Sequence, residues 1–185
     1  MKTLPDKPAL RILMLALALT FAAQGALGQS TGLILTPSDK LRGIPLASTP
    51  FSGSELPPAV DLSSQLPPPG NQGNQQSCVG WAVAYGLKSY QERGEEGWPL
   101  ADRTGAPDPS HVFSPSFIYN QLNQGRDGGC SLPDALNLLH ERGAATLAEM
   151  PYDASDHRRQ PDARASAAAK RYRIDYWRQV NIGDL

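Results

Sequence analysis

The chain has 185 residues, with 17 Lys and Arg against 18 Asp and Glu and a formal net charge of -1. A balance so close to zero argues against nucleic-acid binding and against a general attraction to anionic membranes. Two cysteines in a chain of this length do not make a disulfide-dense scaffold. The histidines at 111, 140 and 157 stand singly, without the close ligand spacing of a metal site, and no cofactor is implied.

Residues 1–28 read as an export signal. Lys2, Lys7 and Arg11 form a basic start, residues 12–23 an apolar run, and Ala26-Leu27-Gly28 puts small residues where a signal peptidase reads. The apolar run is shorter than the roughly 20 residues that span a bilayer. No cysteine stands at the cleavage site for a lipid anchor, and no later stretch is long and apolar enough to span. The expected product begins at Gln29, is periplasmic or extracellular, and keeps no stable membrane anchor. About 157 residues then remain, enough for one domain.

Residues 29–55 are rich in Ser, Thr, Gly and Pro and read as a linker or short pro-segment. The pattern changes at Leu56. Leu66-Pro67-Pro68-Pro69-Gly70 is stiff and turn-prone, and it delivers the chain to Asn71-Gln72-Gly73-Asn74-Gln75-Gln76-Ser77-Cys78-Val79-Gly80-Trp81-Ala82. A helix is expected over 77–93, with Ser77 as N-cap and Gly94 as terminator. Val79, Ala82, Val83, Gly86, Leu87 and Tyr90 would form its buried stripe. Cys78 then lies in the first turn, where unpaired N–H groups and the helix dipole favour a thiolate, the attacking form. Gln72, six residues upstream, can fold its amide back towards the sulfur as an oxyanion-hole donor. The plainer alternative is a small, buried helix cysteine.

These residues resemble the active-site segment of papain-like cysteine peptidases, in a form similar to bacterial variants. The resemblance covers roughly residues 56–180 and is sharpest over 72–82. It implies Cys78 as nucleophile and Gln72 as the oxyanion-hole side chain, with peptide bonds hydrolysed through an acyl-thioester. Gln75 and Val79 stand where many members carry a second cysteine and an aromatic residue, with the tryptophan displaced to Trp81. One familiar disulfide is thereby missing. Leu56-Pro57-Pro58-Ala59-Val60-Asp61-Leu62 looks like the extended opening of the family's catalytic domain.

Further along, Phe113-Ser114-Pro115-Ser116 signals a second helix, with Ser114 as cap and Pro115 at its first position. Phe113, Phe117, Ile118 and Leu122 are expected in the core. A third helix follows Ser131, with Leu132, Ala135, Leu136 and Leu139 inward and Gly143 as its stop. A fourth, over 161–171, is alanine-rich and expected to pack loosely. Tyr172-Arg173-Ile174-Asp175-Tyr176 alternates as a strand would.

Between the second and third helices, Asp127-Gly128-Gly129-Cys130 lets backbone approach backbone. The family resemblance implies that Gly128 and Gly129 bind the substrate main chain, with Cys130 beside the pocket for the substrate's second residue. Met150-Pro151-Tyr152 is similar to a Tyr-Pro-Tyr-like segment of the family. An ordinary glycine turn and a disulfide between Cys78 and Cys130 are the competing readings.

Family members carry the general-base His and its Asn partner ~130–150 residues after the cysteine, beyond Leu185 here. His111, His140 and His157 match no family motif. The expected fold is α+β, a papain-like peptidase fold consisting mainly of the helical lobe around the active-site helix, with the β-barrel lobe largely missing. Residues 56–185 would be that domain, truncated before its His/Asn half. The expected function is an exported cysteine peptidase acting on a peptide or protein substrate, incomplete and inactive alone. The alternative is a non-catalytic exported peptide-binding or interaction module.

Overall fold

The computed structural model describes residues 32–47 and 57–180; the expected export signal at 1–28 lies outside the described residues. Residues 32–47 form a strap with one helical turn, α1 (Ser38–Leu41). A 3-10 turn (Ser63–Gln65) precedes the proline run. The chain then enters a continuous helical run of three segments at Cys78: α2 (Cys78–Gly80), a π-helical segment (Trp81–Lys88) and α3 (Ser89–Glu96). After it come α4 (Pro115–Leu122), α5 (Leu132–Arg142) and α6 (Ala163–Ala169), the last running into a 3-10 turn (Lys170–Tyr172).

The helical run starts where the sequence places it but ends later. Gly94 is passed over, and the chain breaks at Gly97, which sits in the left-handed region at φ 71 and donates its N–H to Arg93 O at 2.9 Å. The buried face also differs from the expected stripe. Val79, Val83, Ala84, Lys88 and Ser89 are buried, whereas Ala82 and Leu87 are exposed. The π segment explains the change. Its i→i+5 bonding, as in Ser89 N–H to Ala84 O, widens the turn, so buried positions recur every four to five residues instead of every three to four.

That register carries Lys88 inside, 1% exposed, where its ammonium meets the Glu92 carboxylate at 2.6 Å and Gln91 Oε1 at 3.2 Å. A buried cation with no anion beside it would not be tolerated. The sequence pattern, read at a 3.6-residue period, puts this pair on the wrong face.

α4 crosses α2 and the π segment, and α5 packs on all three. The crossing point is Gly80, where a Cβ would come within 2.7 Å of Pro115 O and 3.2 Å of Tyr119 Cβ. Val79, Val83, Phe113, Phe117, Ile118 and Leu139 meet in the core, joined by Ala135, Ala144, Met150 and Ala169. Ser114 takes the N-cap position of α4, but its hydroxyl makes no capping bond; its backbone N–H donates to Ala145 O at 2.9 Å. Ser131 caps α5 with its hydroxyl oxygen, accepting from Asp134 N–H at 3.2 Å.

Two expectations are corrected. The alanine-rich helix does not pack loosely, because Ala165 and Ala169 are 1% and 0% exposed. Small side chains let the end of α6 approach Gly143, the stop of α5, so closely that a Cβ there would collide with Ala169 O. The strand over 172–176 is absent: Tyr172 closes a 3-10 turn and packs edge-on against Trp98 and Phe113. Among the described residues β-structure amounts to four isolated bridges. The helical part of the expected fold is therefore observed, with almost no β component.

Removing one partner of the Lys88–Glu92 pair leaves a buried charge, so Glu92→Ala should cost about 3–5 kcal/mol of unfolding free energy. The double variant Lys88→Met, Glu92→Leu should recover most of that loss. Urea denaturation of the two variants beside the parent protein checks both statements.

Candidate active site

Cys78 is the first residue of α2 and is half-buried; Ser77 before it is fully buried. Ser77 stands in the N-cap position, yet its hydroxyl does not cap the helix. It turns instead to Tyr152 Oη at 2.8 Å. Tyr152 Oη in turn donates to Gln72 O at 2.8 Å. A phenol has a single proton and a carbonyl can only accept, so the order is fixed: Ser77 donates to Tyr152, and Tyr152 donates to Gln72.

The loop over 71–77 is built to turn back on itself. Asn71 Oδ1 accepts from Gly73 N–H at 2.8 Å, and Gly73 takes φ 61, a conformation glycine adopts without strain. The Gln72 side-chain amide donates one proton to Gln75 O at 3.0 Å. That bond pins the amide and leaves its second N–H without a hydrogen bond among the described residues. Gln75 is 1% exposed, and its amide donates to Asp153 O at 3.1 Å. The tail of the loop is tied from the opposite side, where Asp127 Oδ1 accepts from Gln76 N–H at 2.8 Å.

The same Asp127 oxygen accepts from Tyr119 Oη at 2.6 Å, and Tyr119 Oη accepts from Gly129 N–H at 3.3 Å. One carboxylate thus couples the loop before Cys78 to the glycine turn. Burial, and then the bond to Asp127, raise the Tyr119 pKa well above the usual phenol range, so the hydroxyl stays protonated and keeps donating.

Of the two glycines, only Gly129 is constrained. Gly128 is exposed with open space at its Cβ position, while Gly129 is buried at φ 86 and a Cβ there would collide with Gly32 O. The close backbone approach expected at this turn occurs, and the approaching chain is the protein's own strap. Cys130 N–H donates to Gly32 O at 3.0 Å and Ile34 N–H donates to Cys130 O at 3.0 Å, a parallel bridge between Leu33 and Cys130. Gly32 also presses against the Gln76 carbonyl. Residues 32–34 therefore lie along the edge that the sequence assigns to substrate.

Cys78 and Cys130 are both free thiols. Cys130 is 4% exposed, and its pKa is pushed up to about 12, first by burial, then by the nearby Cys78 and Asp134 charges. The rings of His111 and His140 are engaged with other groups. His111 stacks on Trp98 and meets Asp108 at 3.1 Å; His140 Nδ1 lies 2.8 Å from Ile174 O; the His157 carbonyl accepts from Asn123 at 2.7 Å. A cavity of about 470 Å³ lies beside Lys40, Ile44, His140 and Trp177, and none of Cys78, Gln72, Gly128 or Gly129 lines it.

The structure brings Cys78 and Gln72 into one loop-and-helix unit and ties it to the Gly129 turn. Sequence reasoning gave no role to Tyr152, Gln75, Asp127 or Tyr119. The available signal was weak: polar residues bordering the cysteine and glycine motifs, with Tyr152 following a proline.

The raised Cys130 pKa has a definite sign in stability. Between about 9 and 12 the unfolded chain has already lost this proton while the folded chain keeps it. Fewer protons bound to the unfolded state means that unfolding free energy falls as pH rises through that window. Urea titrations at pH 8, 9 and 10 should show the decline. Cys130→Ala should flatten the decline without abolishing it, because Tyr119 contributes with the same sign.

The fold is similar to that of xylellain, a cysteine protease from Xylella fastidiosa, with a TM-score of 0.64 at 21% sequence identity, covering 83% of this chain and 59% of that one. The chain thus spans less than two thirds of xylellain's length. No family model and no curated protein matches the sequence. A likeness at this identity is one of fold alone.

Proposed function

We propose that this chain belongs to an exported papain-like cysteine peptidase and carries the nucleophile half of its catalytic apparatus. The observation that supports this most is a half-buried Cys78 opening a helix, with the Gln72 amide held in the preceding loop, in a fold shared with a cysteine protease. In this reading Cys78 Sγ attacks the substrate carbonyl carbon, and the oxygen, now bearing charge, is held by the Gln72 amide and the Cys78 backbone N–H. The carbon–nitrogen bond then breaks to leave an acyl-thioester, the amine departing with a proton, and water hydrolyses the thioester. Gly128 and Gly129 align the substrate main chain.

Proton transfer to the leaving amine needs a general acid, and the His111 and His140 rings are held instead by Asp108 and the Ile174 carbonyl, while His157 matches no family motif. The chain alone is therefore inactive in this reading. General acid–base assistance typically supplies ~10²–10⁴-fold in rate. Residues 32–34 occupy the glycine edge, so substrate has to displace them, which suits the pro-segment reading of 29–55.

The second reading, an exported module that binds peptides without cutting them, is favoured by one observation. The Gly129–Cys130 edge already holds an extended segment through two main-chain hydrogen bonds.

A broad fluorogenic peptide set tests the activity. The refolded mature chain should give no turnover that Cys78→Ala abolishes. If such turnover appears and is also lost in His111→Ala or His140→Ala, a local histidine serves as base and the inactivity proposal is wrong. For export, intact mass of the secreted protein should give an N-terminus at or near Gln29; a membrane-bound form retaining Met1 would refute the cleaved signal.

A further inference from the structure

We infer that Tyr152 is a positioning residue for the oxyanion-hole amide: its hydroxyl clamps the two ends of the loop that carries Gln72. This inference rests on the peptidase reading above and adds a residue to it.

An oxyanion hole works only if its donor is already aimed before charge develops. Gln72 lies on an irregular loop with no strand or helix of its own to fix it. The clamp spans that loop. Tyr152 donates to Gln72 O at its start and accepts from Ser77 Oγ at its end, both at 2.8 Å. One hydroxyl thereby sets the separation between Gln72 and the residue directly before Cys78. The phenol is itself held, because its ring packs edge-on against Trp81 at 4.9 Å, one turn into the nucleophile helix.

The neighbours of Tyr152 support the same loop. Asp153 O accepts from the buried Gln75 amide at 3.1 Å, and Ala154 Cβ lies against Gly73, where an added Cβ would come within 3.0 Å. Gln75 O is the acceptor that pins the Gln72 side chain. Residues 152–154 thus reach the Gln72 amide by two routes, one through its own backbone and one through Gln75. Tyr152 touches neither the sulfur nor the Gln72 side-chain nitrogen, so it acts on catalysis only through the loop.

The test uses the full mature chain and three readouts. A leucine-containing peptide aldehyde adds Cys78 across its carbonyl: the sulfur–carbon bond forms, the carbonyl pair moves to oxygen, and that oxygen takes the thiol proton. The resulting hemithioacetal draws on the Gln72 amide. Iodoacetamide alkylates Cys78 by displacing iodide and creates no oxyanion. Amide hydrogen exchange over 71–78 reports how firmly the loop is held.

Tyr152→Phe keeps the ring against Trp81 and deletes the clamp. It should weaken aldehyde binding about tenfold, in line with one partly buried hydrogen bond, and speed exchange over 71–78 by a similar factor. The iodoacetamide rate constant should stay within about twofold of the parent. Adding Tyr152→Phe to Gln72→Ala should bring no further loss in aldehyde affinity, because both changes act through the same Gln72 amide. Ser77→Ala, which cuts the incoming bond alone, should give a smaller loss and serves if the Phe variant does not fold.

Unchanged exchange over 71–78 in Tyr152→Phe overturns the clamp whatever the enzymology shows. Faster exchange with unchanged aldehyde affinity, or losses that add fully to Gln72→Ala, overturn the link to the oxyanion hole. A parent chain that forms no Cys78-dependent adduct while Tyr152→Phe speeds exchange sinks the peptidase reading, and the catalytic role with it, but leaves the clamp as a fact of the loop.

Discussion

A loop that ends inside the protein must find partners for its backbone N–H and C=O groups, because an unpaired one costs as much as a lost hydrogen bond. The residues before Cys78 meet this constraint from three directions. Gln72 O goes to Tyr152, Gln76 N–H to Asp127, and Gln75 O to the Gln72 side chain. Each of these bonds reaches the site from a different stretch of chain or closes it locally. The glycine turn, the segment after Met150 and the Cys78 helix are therefore positioned together, and none can shift without orphaning a group in the others.

The helix that follows obeys a second constraint. Gly80 has to pass under α4 without a side chain, and directly after it the helix widens into π geometry. The widening turns Lys88 and Glu92 inward as a pair and sends Leu87 to the surface. A π segment three residues after Cys78 is the kind of irregularity that accompanies functional sites. Here it also carries Tyr85 inward, where its hydroxyl donates to Pro68 O at 2.5 Å and anchors the proline run leading to the loop.

The sequence made some of this legible. Pro115 after Ser114, Ser131 before Leu132 and Gly143 after Arg142 are local signals, each acting within one turn of helix, and the helices begin and end accordingly. Signals that depend on a partner far away were not legible. Gly94 and Gly97 look alike in sequence, and only the run of the helix past Lys88 decides between them. The alternation over 172–176 has no neighbouring strand to pair with among the described residues, so it stays irregular. At the site, Cys78 and Gln72 announced themselves by spacing within one loop. Tyr152 acts across 80 residues of chain, and nothing local to it reveals that. The strap was read as linker because its composition is that of one; its contact with Gly129 depends on two glycines 97 residues apart meeting face to face.

Chemistry at Cys78 requires that this thiol, and not Cys130, be the accessible and unbridged one. Cys78 is half-buried at the start of a helix, whereas Cys130 is 4% exposed beneath the strap. Brief iodoacetamide treatment of the protein, followed by peptide mapping without reduction, tests this most directly. The account predicts carbamidomethylation at Cys78 with Cys130 unmodified. A disulfide between Cys78 and Cys130, or label confined to Cys130, would contradict it.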